Sequence, residues 1–202
     1  MHSKTFWVVA WTQLQVSLSE LSITWKSVPP CRKNFIAELD LNLPHTQLPS
    51  LNDRPQLPYT EALIQELLRI STIGPFGLLH SAVGDTEVAG YRIPKDTLVI
   101  GNLYAVNNYP NMWKNPREFR PERFIDENGK YNSGDEPVIA FGTGKRSCIG
   151  EGFARNQLFL FTVQIFQNFR VKPASAPEPS SCVCLQGQRF FSCCNHLYWT
   201  PK

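Results

Sequence analysis

The segment after Pro58 has the apolar spacing of a helix. Its apolar stripe consists of Leu63, Leu67 and Ile70, widened by Ile64 and Leu68. Residues three and four apart share one face of a helix, so this spacing predicts a helix with one buried side. Thr60 is the predicted N-cap, because its hydroxyl oxygen can accept a free backbone N–H of the first turn.

A second helical pattern begins at Phe153 and is apolar on nearly every side. One face carries Ala154, Leu158, Phe161, Ile165 and Phe169, and another carries Phe159, Val163 and Phe166. A helix that is apolar all round is typical of a buried core element. We therefore expect this helix to pack against other parts of the chain on several sides.

Between these two predicted helices, the apolar residues recur at the shorter spacing that is typical of strands. Residues 87–94 and 97–100 alternate or run β-branched and are bounded by turn residues, which predicts short strands paired as a hairpin. Residues 34–40 predict the end of a short helix, and residues 1–30 carry no motif. The predicted fold class is mainly α with small β hairpins (α+β).

Composition narrows the possible functions. The chain has 202 residues, 42% hydrophobic and 18% charged, which is typical of a globular protein. Its net charge of +3 comes from scattered cations, which argues against a nucleic-acid-binding protein. The apolar patch Phe6–Trp11 is far shorter than the ~20 residues of a membrane-spanning helix, so no anchor is expected in this chain.

Four of the six cysteines lie near the C-terminus. These are Cys182, Cys184, Cys193 and Cys194, and His196 lies close by. Their spacing is unlike that of common zinc sites, so a loosely ordered tail competes with a zinc-binding one.

The segment from Phe141 to Gly150 combines three glycines, two adjacent cations and Cys148. The predicted helix follows at once, so Cys148 lies at or just before its first turn, where free N–H groups and the helix dipole favour a thiolate. A cysteine in a glycine-rich turn can also be an ordinary small core residue. A thiolate beside a cation suits haem, whose carboxylates need a positive partner.

A second group of charged residues lies further upstream. Glu66 and Arg69 are three residues apart on the first predicted helix, and Arg123 follows in the segment Pro121–Phe124. The simplest interpretation of Glu66 and Arg69 is a surface ion pair of little consequence. Their position beside apolar stripe residues instead favours a buried carboxylate, which requires guanidinium partners.

The pattern F-x-x-G-x-R-x-C-x-G resembles the haem-binding loop of the cytochrome P450 family, and residues 141–150 match it without a gap. Its five fixed positions are Phe141, Gly144, Arg146, Cys148 and Gly150, and Gly142 lies at a variable position, where the resemblance also implies contact with the cofactor. The resemblance implies that Cys148 is the axial ligand of haem iron and that Arg146 pairs with a propionate. It also implies that N–H groups following Cys148 hydrogen-bond the sulfur.

The same resemblance extends to other segments. Glu66, Arg69 and Arg123 resemble the structural triad of that family, which lies beneath the haem loop. Ile73 to Leu78 would line the cofactor face and the substrate pocket, and His80 would meet a propionate. An ordinary surface histidine beside a strand remains the alternative for His80.

Taken as a whole, the chain is similar to the C-terminal part of a microsomal cytochrome P450, a fold that would lack its N-terminal half and central distal helix. The expected limits are an unassigned segment 1–30, a haem-domain part 31–171 and a divergent cysteine-rich tail 172–202. The implied activity is monooxygenation of a small lipophilic substrate, with electrons from NADPH through NADPH-cytochrome P450 reductase, at the cytoplasmic face of the endoplasmic reticulum membrane. The alternative is a non-catalytic, truncated product that at most binds haem.

Overall fold

A computed structural model describes residues 29–44, 46–134 and 137–173, and the short stretches 184–185, 188–189 and 197–201. This part of the chain contains α1 (Pro29–Asn42), α2 (Pro58–Ser71), α3 (Leu103–Asn107) and α4 (Glu151–Asn168). Short 3-10 helices lie at Leu51–Gln56, Pro121–Phe124 and Gly144–Arg146. Each of these helices is too short or too polar to cross a lipid bilayer.

Every sheet within the described residues is antiparallel and two-stranded. The pairs are β1 (His80–Ser81) with β4 (Leu98–Val99), β2 (Thr86–Val88) with β3 (Tyr91–Ile93), β5 (Phe169–Pro173) with β8 (Leu197–Pro201), and β6 (Cys184–Leu185) with β7 (Gln188–Arg189). A helix-rich chain with small β hairpins is therefore confirmed. β5 runs from Phe169 to Pro173, so it extends across the predicted boundary between residues 171 and 172, where the cysteine-rich tail is expected to begin.

The strand partners differ from the predicted hairpin. Residues 87–94 fold back on themselves as β2 and β3, because Ala89 and Gly90 both adopt positive φ, 50° and 84°. A two-residue turn of that kind matches the twist of a tight hairpin. The strand at Leu98–Val99 therefore pairs with His80–Ser81, for which the sequence predicts no strand.

The core lies where α1, α2 and α4 meet. α1 buries Cys31, Phe35 and Leu39, which are spaced four apart, and the ring of Phe35 meets that of Phe166 edge-on at 5.5 Å. The helix predicted to end at 34–40 thus has 14 residues, with most of this segment in its second half. It begins at Pro29 because proline suits a first helical turn, where its missing N–H is not needed.

Only one side of α4 is buried, contrary to the prediction of burial all round. The buried face carries Ala154, Leu158, Phe159, Thr162, Val163 and Phe166, whereas Phe161 is exposed. Phe169 lies outside the helix, at the start of β5. The surrounding helices cover one side of α4, so its apolar residues on the other side stay accessible.

A carboxylate from α1 caps the start of α2. Glu38 accepts hydrogen bonds from the backbone N–H groups of Tyr59 (2.6 Å) and Thr60 (2.8 Å) and from the Thr60 hydroxyl (2.7 Å). α2 begins at Pro58, so Thr60 lies within the helix and the N-cap prediction is wrong. A negative group at a helix N-terminus satisfies free donors and complements the dipole.

Glu66 is the buried centre of a hydrogen-bonded network. Its side chain and that of Arg69 are both 0% exposed, and Arg69 meets the two carboxylate oxygens with two parallel bonds of 2.7 and 2.8 Å. Arg123 Nε and the backbone N–H of Arg120 donate to the same carboxylate at 3.1 and 3.0 Å. The carboxylate is therefore fully paired, which is the condition for burying it at tolerable cost.

The two arginines also bond the connection between α3 and Arg123, which precedes the cysteine loop in the chain. Arg69 donates to the carbonyl oxygens of Asn107 and Pro116, both at 2.8 Å. The Arg69 guanidinium also lies 5.1 Å from the centre of the Trp113 ring. Arg123 donates to the carbonyl oxygens of Lys114, Asn115 and Glu118. The residues from Asn107 to Arg123 are thus fixed to α2 through two buried side chains, Glu66 and Arg69.

We expect Glu66→Gln to lower the free energy of unfolding by about 3–5 kcal/mol, because it leaves two guanidiniums without their buried counter-charge. Urea denaturation of the full chain measures the effect. The matched control is Asp85→Asn, which removes the carboxylate of an exposed ion pair with Arg92 and should leave the midpoint unchanged. Equal midpoints for the two variants would contradict a central role for Glu66.

Stability should also fall at alkaline pH. Burial raises the pKa of the Cys31 thiol and of the Tyr59 hydroxyl, and the Glu122 carboxylate that accepts the Tyr59 O–H at 2.7 Å raises the tyrosine pKa further. The folded chain then holds these protons more tightly than the unfolded chain. Stability is therefore lost as pH rises through the ordinary thiol and tyrosine values, 9.0 and 10.0.

Tyr59→Phe should reduce the loss of stability at alkaline pH, because phenylalanine has no hydroxyl proton that the unfolded chain could release. Urea midpoints measured from about pH 7 to about pH 10.5 give the slope of stability against pH across the range in which tyrosine ordinarily titrates. Tyr91→Phe, at an exposed position, is the control and should leave the slope unchanged. A slope in Tyr59→Phe as steep as in the unmodified chain would rule out this origin.

Candidate functional site

The loop between Ile139 and Gly150 is shaped by glycines. Gly142 and Gly144 have φ of 75° and 72°, in the left-handed region that side chains disfavour. The N–H of Gly142 donates to the carbonyl oxygen of Ile139 at 3.0 Å, and a 3-10 turn follows at Gly144–Arg146. Phe141 is buried in the core and so anchors the near end of the loop.

Backbone hydrogen bonds fix Cys148 at the far end of this loop. Its N–H donates to the carbonyl oxygen of Phe141 at 2.9 Å, which closes the loop, and its carbonyl accepts from the N–H of Glu151 at 3.3 Å. Glu151 is the first residue of α4, with Gly150 at the N-cap, so Cys148 lies just before the first turn as predicted. Its thiol is free and exposed.

Two N–H groups at the start of α4 bond backbone carbonyls: that of Glu151 bonds the carbonyl of Cys148, and that of Ala154 bonds the carbonyl of Gly150 at 2.9 Å. Hydrogen bonds from the N–H groups after Cys148 to its sulfur stay a prediction.

The two basic residues that the resemblance assigns to propionates are exposed as well. Arg146 and His80 form no side-chain hydrogen bond or ion pair within the described part of the chain, and His80 belongs to β1, opposite Val99. No described contact joins His80 to the cysteine loop. These two side chains therefore remain available for an external anion, and the structure does not itself bring them together.

An apolar stretch with accessible side chains precedes His80. Phe76, Leu78 and Leu79 are 56%, 80% and 64% exposed. Their backbone is nevertheless held: the N–H of Tyr104 donates to the carbonyl of Pro75 at 3.2 Å, and Gly77 to Gly74 at 3.0 Å. Exposed apolar side chains on an ordered segment are typical of a surface that another molecule covers.

Haem fits this set of groups. The group has a metal that binds thiolate, an apolar face and anionic carboxylates at its edge. Cys148, the apolar stretch at 76–79 and the basic residues Arg146 and His80 match these three features, and all are accessible. Among the described residues there is no cluster of three His, Cys, Asp or Glu side chains that could hold a bare metal ion. The proposed zinc site at Cys182, Cys184, Cys193, Cys194 and His196 concerns side chains outside the described residues.

Arg155 supports the loop from the protein side, a role that the sequence analysis does not identify. Its guanidinium lies 5.4 Å from the centre of the Phe141 ring. It also donates to Gln65 on α2 at 2.7 Å and to Glu151, one turn earlier on α4, at 2.8 Å. The i, i+4 spacing of Glu151 and Arg155 is a signal for the helical pair, whereas the contacts to Phe141 and Gln65 depend on the fold.

Comparison with known proteins identifies the family. The cytochrome P450 family profile matches residues 28–190. Farnesoate epoxidase of Bombyx mori is 44% identical over 145 residues, covering 71% of this chain and 29% of the relative. Steroid 17-alpha-hydroxylase/17,20 lyase of Squalus acanthias is 39% identical over 171 residues, covering 81% of this chain and 34% of the relative. Cytochrome P450 2B19 of Mus musculus is 43% identical over 141 residues, covering 70% of this chain and 28% of the relative.

The chain thus spans about a third of the length of the curated relatives it matches. The matched region contains the Glu66 network, the apolar stretch and the complete loop from Phe141 to Gly150. With these features inside the match, the chain belongs to the cytochrome P450 family.

Proposed function

We propose that this chain supplies the cysteine side of a haem-thiolate monooxygenase site. The observation that carries the proposal is Cys148, whose exposed thiol is fixed by backbone bonds at the end of a glycine-shaped loop. Membership of the cytochrome P450 family supports it. Haem, when bound, supplies the redox-active iron for monooxygenation, in which one atom of O2 enters the substrate and the other leaves as water.

The residues of this chain bind and orient the cofactor. Cys148 would bind the iron as a thiolate, and Arg146 and His80 would hydrogen-bond the propionates. Gly142, Gly144 and Gly150 allow the loop to approach the cofactor face, while Phe141 anchors it in the core. Glu66, Arg69 and Arg123 hold the connection that precedes the loop.

The apolar stretch around Phe76, Leu78 and Leu79 suits a small lipophilic substrate beside the cofactor. The names of two relatives, a farnesoate epoxidase and a steroid 17-alpha-hydroxylase, support this substrate class. We propose that NADPH-cytochrome P450 reductase supplies the electrons and that the reaction takes place at the cytoplasmic face of the endoplasmic reticulum membrane. The proposed haem-domain part is 31–171, flanked by the segment 1–30 and the cysteine-rich tail 172–202.

The alternative to this proposal is a non-catalytic, truncated product that at most binds haem. The two hypotheses differ in NADPH-dependent product formation when haem and reductase are added to the full chain. Product from a lipophilic test substrate would favour the monooxygenase, and haem binding without product would favour the alternative.

Cys148→Ala should abolish the thiolate-type carbon monoxide absorption band of the haem-loaded, reduced full chain, because alanine provides no iron ligand. The control is Cys31→Ala, at a buried cysteine that belongs to the core beneath α1. It should retain the band. A thiolate-type band that persists in Cys148→Ala would show that another cysteine is the ligand.

Arg146→Gln should weaken haem binding on the order of tenfold, because it removes a charge-assisted hydrogen bond to a carboxylate. Titration of the full chain with haem measures the dissociation constant. Lys145→Gln removes the adjacent exposed cation, which the haem-loop pattern does not fix, and should change the constant much less. Equal effects of the two substitutions would indicate general attraction between charges instead of a specific contact.

A further inference from the structure

Asn107, the last residue of α3, lies between α2 and the cysteine loop and is 0% exposed. Its side-chain Oδ1 accepts the backbone N–H of Ile139 at 3.0 Å. Its Nδ2 donates to the hydroxyl of Thr72 at 3.0 Å, and its carbonyl oxygen accepts from Arg69 at 2.8 Å. Three hydrogen bonds therefore join this residue to two separate segments of the chain, the end of α2 and the start of the cysteine loop.

On one side, these bonds attach Asn107 to the C-terminal end of α2. Arg69 is itself held by the two oxygens of Glu66. The Thr72 hydroxyl donates to the carbonyl oxygen of Arg69 at 2.7 Å, and Thr72 adopts a left-handed conformation with φ of 33°. Both contacts of Asn107 on this side thus belong to one fixed helix end.

On the other side, the single bond to Ile139 reaches the start of the cysteine loop. The carbonyl oxygen of Ile139 accepts the N–H of Gly142, and the carbonyl oxygen of Phe141 accepts the N–H of Cys148. A short path of hydrogen bonds and chain therefore leads from Glu66 through Asn107 to the backbone of Cys148.

We propose that Asn107 is a positioning residue, which fixes the start of the cysteine loop to the Glu66 network and thereby orients Cys148. Without its Oδ1, the half-buried N–H of Ile139 loses its partner, and an unpaired donor in that position favours opening of the loop. The consequence for haem rests on the function proposed above, whereas the effect on the loop does not.

Amide hydrogen exchange of the full chain tests the effect on the loop. In Asn107→Leu, the amides of Ile139 and Cys148 should exchange on the order of tenfold faster relative to the amide of Leu158 in α4. Thr72→Val is the matched control, because it keeps the β-branched shape and removes the bond on the opposite side of Asn107. It should leave both ratios unchanged.

Two results would overturn the proposal: unchanged ratios in Asn107→Leu, or ratios that rise equally in Thr72→Val, which would indicate a general loss of packing. Asn107→Asp keeps an acceptor for Ile139 and should restore the wild-type ratio for that amide. If Asn107→Leu does not fold, the smaller Asn107→Ser truncation replaces it in the same comparison.

The haem-loaded chain gives an independent readout. Asn107→Leu should lower the fraction of bound haem with a thiolate-type carbon monoxide band, and Thr72→Val should not. An unchanged fraction in Asn107→Leu would overturn the orienting role. Absence of the band from the unmodified chain would defeat the proposed haem-thiolate function, and the exchange comparison would still decide whether Asn107 holds the loop.

Discussion

The pairing of the buried Glu66 carboxylate is the constraint on which the rest of the fold depends. A carboxylate without contact with water must be matched by donors, and here these come from Arg69, Arg123 and the backbone of Arg120. Two of the partners lie more than fifty residues away along the chain. The connection from α3 to Arg123 has little regular structure, and hydrogen bonds from Arg69 and Arg123, both paired with this carboxylate, hold it to α2.

The described part of the chain has an unusual division between its interior and its surface. Charged groups are buried at the Glu66 network, whereas apolar side chains such as Leu78 and Ile149, 80% and 99% exposed, face outward near the thiol-bearing loop and β1. Buried charges fix geometry, and exposed apolar groups bind apolar surfaces. This arrangement suits a rigid support that presents a reactive face to a cofactor.

Much of this could be foreseen because it is local. The features that the sequence predicts lie within a few residues of one another. They are the apolar spacing in α2, the glycines before Cys148 and the short interval between Glu66 and Arg69. The rest depends on contacts between distant segments: Glu38 caps α2 from another helix, β1 takes its partner from Leu98–Val99, and Asn107 and Arg155 reach the loop through the fold. The sequence overestimates the burial of α4. An apolar pattern shows which side chains can be buried, but the neighbouring helices decide which of them are.

The closure of the cysteine loop has a consequence for how its surface can change. The bond between the N–H of Cys148 and the carbonyl oxygen of Phe141 uses main-chain atoms, as does the bond between Ser147 and Gly144. The exposed side chains of Thr143, Lys145 and Ser147 form no hydrogen bonds to the described residues. Substitutions at these three positions can therefore change the charge of this surface while the main-chain bonds that fix Cys148 are kept.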